Sequence, residues 1–473
     1  MARTRAGRAA KLGGLAGTQT VRLAAGKAAD LVRSPERADE AERLRNALLA
    51  ERLVAVLGTM RGAAMKLGQM LSLVDPGFVP PEYRDLFQST LATLQDNAPR
   101  VPWTEMRDHL ESELGGELAT AFAEFEREPI AAASIGQVYR ARLLDGRPVA
   151  VKVQYPGIEQ AVLADLKNLR TLLSVYRFVH PALDTAALAD EFEARIREEL
   201  DYRIEARNTR LMHEAYRDHP FIRIPELICA LSGQRVLVTE WLAGKPLRAA
   251  YDSPLDERNR LAEILFRFYC GAPYSMHFYS GDPHPGNAVL CDDGSIGFLD
   301  FGLCKTVRAD IAAAELTGLR AGIDGDVARI VELMQTRGFA TAAQVSDKQA
   351  YEVFLRLFGW YLRDGPTEFG PDIATDLVAL LGPAPDVSLR PFNLPAEHAL
   401  RGRAELQLLA ILGQLRPHTN LHIVAREWIF DDEPRTELGR AHRDWVGHRT
   451  GSAPSMPPTS VSFQPESRST VTW

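Results

Sequence analysis

Two aspartates and an amide stand close together past the middle of the 473-residue chain, in the run GDPHPGNAVLCDDGSIGFLDFG over residues 281–302. Asn287 follows Asp282 by five positions, and Asp300 opens Asp300-Phe301-Gly302. This order and spacing suit phosphoryl transfer from ATP, with one Asp beside the acceptor hydroxyl and an Asn and a second Asp holding Mg²⁺. Magnesium takes oxygen ligands in an octahedron and is usually held by one or two protein groups plus phosphates. Asn287 and Asp300 can supply the protein share, so ATP and Mg²⁺ are the expected cofactors.

A second cluster is Val149-Ala150-Val151-Lys152. Strand alternation points Lys152 to the face opposite Val151 and Val153. A lysine there can bind α- and β-phosphate oxygens as a point charge. It needs a carboxylate from a following helix, and a helical pattern over 185–216 offers Glu198, Glu199, Asp201 and Glu205. Alone, V-A-V-K is weak, because many strands end in a solvated lysine; upstream of D-x4-N and D-F-G it becomes specific. The segment Ala131-Ala132-Ala133-Ser134-Ile135-Gly136-Gln137-Val138 precedes this strand, where a kinase carries a Gly-rich phosphate cover. Alanine resists positive φ, so a stiffer loop that wraps the γ-phosphate less closely is expected. A packing turn of small residues is the plainer alternative; the position before Lys152 favours the phosphate role.

The elements that must position these groups follow from periodicity. Helical patterns over 38–73 and 83–94 are separated by Pro76, Pro80 and Pro81. A helix over 103–125 with Thr104 as its cap follows. A β-hairpin over 135–144 and 148–155 turns at Asp145-Gly146. Helices are expected over 158–178 and 185–216, the latter capped by Asp184. Strands over 222–228 and 235–242, a hinge at Gly244-Lys245-Pro246, and a helix over 255–278 lead into the Asp282 segment. From Val307 to about Ala441 the pattern is mostly helical. The fold class is therefore α+β, with a strand-rich lobe and a helical lobe that leave a cleft at the hinge. Its expected parts are a basic arm (1–35), a helical extension (36–128), a small β-rich N-lobe (129–243), a helical C-lobe (244–445) and a disordered tail (446–473) rich in Ser, Pro and Thr.

Bulk properties narrow the partners. At 46% hydrophobic and 25% charged residues, the chain has ample material for a core. A net charge of -7 argues against a general nucleic-acid binder. The four cysteines show no C-x-x-C spacing and read as separate reduced thiols. No apolar run reaches the roughly 18 residues that span a bilayer. Arg3, Arg5, Arg8, Lys11, Arg22, Lys27 and Arg33 make the N-terminus basic. Such a segment suits either an anionic membrane surface or a solvated arm, and a transit peptide shares its composition. The expected location is cytoplasmic, with peripheral membrane association and organellar import left open.

Taken together, the motifs resemble the UbiB/AarF family of atypical, protein-kinase-like proteins linked to isoprenoid quinone biosynthesis. The resemblance runs from about Gly58 to Lys305. It rests on Lys66-Leu67-Gly68-Gln69 (the K-x-G-Q signature), on the Ala-rich loop through Val138, and on Val149–Lys152. Glu199-Leu200-Asp201-Tyr202 (the E-x-D signature), Asp282–Asn287 and Asp300–Gly302 complete it. The resemblance implies an α+β, protein-kinase-like bilobal fold, with a small β-rich N-lobe, a helical C-lobe and an N-terminal helical extension laid across the cleft. It implies that Lys152 pairs with Glu205 and contacts phosphates, that Asn287 and Asp300 hold Mg²⁺, and that Asp282 is catalytic. Ala131, Ala132, Ala133, Ser134, Gly136 and Gln137 would line the nucleotide. Lys66 and Gln69 would reach into the same site, with Glu199 and Asp201 holding the extension.

Two departures from a typical protein kinase restrict the chemistry. Ser280 stands two residues before Asp282, where such a kinase has His, and His284 reads as structural. No A-P-E follows Asp300–Gly302, so the stretch that docks peptide substrates is missing. That absence and a helical lid argue against protein phosphorylation in trans, while Ser280 means that the hydrogen bonding of the loop differs. The resemblance implies an ATPase or kinase with a lipid or quinone-precursor client, alongside quinone-biosynthesis enzymes. Two alternatives share the same ligands: a nucleotide-binding pseudokinase scaffold without turnover, and a small-molecule phosphotransferase of the antibiotic-kinase type.

Overall fold

The computed structural model of the chain describes residues 101–133, 135–176, 190, 193–194, 196–339, 346–373 and 395–449. Lys66, Gln69, Ser134, Asp184, the basic arm, the helical patterns over 38–73 and 83–94, and residues 450–473 lie outside the described residues. The disordered tail expected from 446 is corrected at its start, because a helix continues through Arg449.

The small lobe begins with helix α1 (Trp103–Leu114). Pro102 holds its N-cap position without a side-chain cap, and Thr104 lies inside the helix. The expected helix over 103–125 ends early. Gly115 adopts φ 71° and returns its N–H to the Glu111 carbonyl, a left-handed close that glycine takes without steric cost. The chain then re-forms as strand β1 (Phe122–Phe125). Met106, Leu110 and Phe122 are buried in one cluster with Tyr139 and Val151, so this stretch of the expected extension packs into the small lobe itself.

Strands β2 (Ala131–Ala132), β3 (Gly136–Leu143) and β4 (Pro148–Gln154) follow. The β3–β4 hairpin turns through Asp145-Gly146 as the sequence suggests, with Gly146 at φ 88°. Val149, Val151 and Val153 are fully buried, each stabilising the lobe by about 1.5–3 kcal/mol. Helix α2 (Ile158–Tyr176) leads to a break at Leu200–Asp201, and helix α3 (Tyr202–Ala215) starts there. The expected helix over 185–216 is thus interrupted. Asp201 caps α3 by accepting from the Arg203 N–H. Strand β5 (Ile222–Arg223) comes next, then β6 (Val236–Glu240), which completes a sheet in the order β1-β3-β4-β6 with β2 on β3.

Strand β7 (Lys245–Pro246) occupies the expected hinge. Helix α4 (Leu255–Phe266) continues through a π-helical turn, Arg267–Gly271, into the short helix α5 (Ala272–Ser275). The expected helix over 255–278 stops there, because His277 takes φ 54° and strand β8 (Phe278–Ser280) begins. Strands β9 (Ala288–Leu290), β10 (Ile296–Phe298) and β11 (Cys304–Thr306) carry the candidate site. Helices α6 (Ala309–Asp324), α7 (Val327–Thr336) and α8 (Asp347–Leu362) build the large lobe. After strand β12 (Thr367–Glu368) come helix α9 (Ala396–Leu415), strand β13 (His418–Thr419), helix α10 (Leu421–Ile429) and helix α11 (Glu437–Arg449). Helix α9 is central: Leu408, Leu412 and Leu415 are fully buried, and so nearly are Arg401, Arg403 and Glu405. No helix among the described residues is long and apolar enough to cross a membrane.

Candidate nucleotide and metal site

Lys152 stands opposite Val138 on β3 and Leu237 on β6. Alternation turns its side chain away from the face that carries Val151, Val153 and Tyr139. On that second face α3 presents Glu205 from its first turn. The Lys152 Nζ donates to both Glu205 oxygens at 2.8 Å and to Asp300 Oδ2 at 3.4 Å. Its side chain is 19% exposed and that of Glu205 7%. Burial works against the Lys152 ammonium, but Asp300 and then Glu205 outweigh it and hold its pKa well above the ordinary lysine value. The Nζ also lies 5.1 Å from the Tyr202 ring centre, a cation–π contact.

Two short pairings assemble the aspartates. In the β9–β10 hairpin Phe298 faces Ala288, and the Leu299 N–H reaches the Asn287 carbonyl at 2.9 Å. Asn287 and Asp300 therefore leave the same end of one hairpin. In the β8–β11 pair Cys304 faces Ser280, and the Gly281 N–H reaches the Leu303 carbonyl at 2.7 Å. That places Asp282 beside Gly302 and Leu303. Asn287 Nδ2 closes the loop by donating to Asp282 Oδ2 at 3.3 Å. Asp300 Oδ1 accepts the Gly302 N–H at 2.9 Å. The Asn287 amide oxygen and the Asp300 carboxylate are hard oxygen donors on one hairpin end, and with phosphate oxygens they fit the needs of Mg²⁺. Among the described residues there is no group of three His, Cys, Asp or Glu that would form an all-protein metal cage.

Other residues singled out in the sequence take different places. Ala131 and Ala132 are exposed strand residues paired with Val138 and Gln137, not a free loop. The Ala133 N–H reaches the Gly136 carbonyl at 2.8 Å, closing a tight turn. Gly136 has no room for a side chain, since a Cβ would lie 2.2 Å from the Val153 carbonyl oxygen. Gln137 pairs with Val153, on the face opposite Lys152. It is buried and accepts from the Tyr139 hydroxyl at 2.8 Å, so its side chain does not face the lysine. Asp201 is engaged locally, with Arg203 Nη2 at 2.6 Å, and Glu199 sits half-buried at the start of the same break. His284 is exposed and accepts the Gly286 N–H through Nδ1, a structural turn contact. Ser280 is buried in β8.

Two partners escaped sequence reasoning. Asn208, one turn beyond Glu205 on α3, donates to the Phe301 carbonyl at 2.8 Å. Arg403, on α9, donates to Asp282 Oδ1 at 3.2 Å. No local pattern marks Arg403, which lies 121 residues from its partner. Asn208 is three positions from Glu205, and that spacing was a usable signal.

A cavity of ≈ 290 Å³ lies elsewhere in the large lobe, between Tyr216, Tyr274, Trp428 and His442. Its buried cation, Arg267, is already neutralised by Glu263 and Glu427 at 2.8 and 2.7 Å. None of the motif residues lines it.

Comparison with known proteins bears on the family and the fold. The model of the ABC1 atypical kinase-like domain matches residues 93–334. The atypical kinase COQ8B, mitochondrial, of Rattus norvegicus is 31% identical over 412 residues, covering 86% of this chain and 74% of that one. The atypical kinase coq-8, mitochondrial, of Caenorhabditis elegans is 33% identical over 302 residues, which cover 63% of this chain and 40% of the relative. Among solved structures, Rv3197 from Mycobacterium tuberculosis, determined in complex with erythromycin, superposes with a TM-score of 0.62 at 29% identity. That superposition covers 83% of this chain and 98% of the other. A family match across about half the chain, a relative aligned over most of it and a shared kinase-like fold lead to one assignment: the chain belongs to the UbiB/AarF family of atypical kinases.

Proposed function

We propose that the chain binds Mg-ATP in the cleft and transfers its terminal phosphoryl group to water or to a small or lipid-linked acceptor, in support of isoprenoid quinone biosynthesis at a membrane surface. The observation that carries this reading is Lys152 held between Glu205 and Asp300, which joins the small lobe's cation to a metal-ligand candidate of the large lobe. Lys152 would hold the α- and β-phosphates, and its two carboxylate partners keep it charged and fixed before nucleotide arrives. Asn287 and Asp300 would hold Mg²⁺, which supplies charge neutralisation on the transferred group. Asp282 would orient the acceptor and take its proton.

The packing beside Asp282 supports a small acceptor. Helix α9 runs against the catalytic loop: a Cβ on Gly281 would lie 2.7 Å from Leu400 Cγ, and Lys305 Nζ reaches the Glu397 carbonyl at 3.5 Å. A peptide has little room on that side, which favours a small acceptor. The quinone role rests on the relatives, whose names place them in mitochondria or chloroplasts. Lys66 and Gln69 would enter the same site from the N-terminal extension, with Glu199 and Asp201 at its base.

Phosphate release from Mg-ATP, with and without vesicles of anionic lipid, tests the proposal. Wild type is expected to turn over above the Asp300→Asn background, and more so with lipid. Equal rates for the two proteins remove the enzyme reading; a Mg-nucleotide thermal shift that survives alongside them leaves the scaffold alternative.

A further inference from the structure

We infer that Arg403 is a positioning residue for Asp282, an inference that rests on the phosphoryl-transfer reading above. The two carboxylate oxygens of Asp282 are held from opposite sides. Asn287 Nδ2 lies 3.3 Å from Oδ2, and Arg403 Nη2 lies 3.2 Å from Oδ1. The Arg403 side chain is 7% exposed and that of Asp282 14%. A cation so deeply placed needs a reason, because taking a guanidinium out of water is costly and an apolar residue of similar volume often packs as well.

Local structure does not supply that reason. Arg401, two residues earlier on α9, points to the other side of the helix. There it meets Glu315 and Glu405 and stacks its guanidinium 4.7 Å from the Tyr274 ring centre. That network has its own cation and its own acids. Among the described residues, Asp282 is the acidic side chain within ion-pair distance of Arg403. The arginine therefore serves the carboxylate. It fixes the side-chain torsion of Asp282, so that the group faces the acceptor before an acceptor binds, and it delivers that constraint from a helix already locked against the catalytic loop through Leu400 and Gly281. Ser280 is buried in β8, and His284 is exposed with its Nδ1 accepting from the Gly286 N–H.

A four-protein cycle tests the inference: wild type, Arg403→Met, Asp282→Asn and the double variant, with Arg403→Lys as the conservative control. Measured are kcat and KM for Mg-ATP by phosphate release, and the urea midpoint of each protein. Arg403→Met is expected to lower kcat about tenfold or more while KM stays within about twofold. Arg403→Lys is expected to recover part of that loss. In the Asp282→Asn background, Arg403→Met should change kcat less than twofold, because its effect passes through the carboxylate. Independent, multiplicative losses overturn the inference, as does an equal loss in kcat and in nucleotide binding that tracks a fall in the urea midpoint. If wild type releases no phosphate, the enzyme reading fails separately. The pair is then judged on the urea midpoints alone: non-additive losses keep it and additive losses overturn it.

Discussion

Asn208 donates its side-chain amide to the Phe301 carbonyl at 2.8 Å, one helical turn from the Glu205 that clamps Lys152. A single face of α3 thus fixes both the lysine of the small lobe and the backbone of Asp300-Phe301-Gly302. Asn208 and Phe301 are buried, so neither group has water as a substitute. Replacing Asn208 with Leu strands the Phe301 carbonyl, at a cost of about 1–3 kcal/mol. The expected result is a lower urea midpoint and weaker Mg-ADP binding by calorimetry. Unchanged values in both would mean that the contact does not tie α3 to the site.

Lys152 and Glu205 should be strongly non-additive. Lys152→Met removes the cation that donates to both oxygens of a buried carboxylate, and Glu205→Gln removes the charge of the lysine's nearest partner while Asp300 stays at 3.4 Å. Each single change is expected to destabilise by roughly 3 kcal/mol, and the double variant by clearly less than the sum. Denaturant unfolding of the four proteins reads this directly, and additive losses would speak against a coupled pair. All three variants should also lose the thermal shift given by Mg-nucleotide.

Much of the site was legible because its parts are local. Alternation along a seven-residue strand turns Lys152 toward the cleft, and two short hairpins gather Asp282, Asn287 and Asp300. Glu205 was one carboxylate among four until the family resemblance singled it out. What stayed hidden depends on tertiary contact or on a single backbone angle. Helix α9 is buried on several faces and shows no apolar stripe, so nothing in its sequence sends Arg403 to Asp282. The α3 start at Asp201 was lost in a continuous helical pattern, although Asp is a good cap. Gly115-Gly116 was the readable stop that the expected helix over 103–125 ran through. Gln137 looked phosphate-facing until the register put it across from Val153.

Gly281 should not accept a side chain. An added Cβ would lie 2.7–2.8 Å from three atoms of Leu400, inside any ordinary contact. Gly281→Ala is expected to push α9 away from the catalytic loop and lower phosphate release at least tenfold. Leu400→Ala in the same protein makes room and should restore much of the rate. Lack of rescue would place the defect in the loop backbone and not in its contact with α9.

The large lobe should weaken in mild acid. His219 Nε2 and His442 Nδ1 share a hydrogen bond at 3.0 Å beneath α11. Burial first, then neighbouring positive charges, push His219 down to about 2 and His442 down to about 4. The unfolded chain binds these protons near pH 6.5 and the native state does not, so their contribution is fully present above that pH. It falls away as pH drops from about 6.5 toward 4, by roughly 3 kcal/mol for His442 alone. Denaturant unfolding across this window checks the sign. His442→Gln should reduce the pH slope by up to one proton, and an unchanged slope would assign the acid sensitivity to other groups.

Mg-dependent phosphate release by wild type and Asp300→Asn, measured side by side with the same nucleotide and anionic lipid, tests the central claim most directly. The account predicts turnover that needs Mg²⁺ in wild type and falls to background in Asp300→Asn, with the unfolding free energies of the two proteins in urea within about 1 kcal/mol of each other. Identical rates in the two proteins, or turnover indifferent to Mg²⁺, would contradict it.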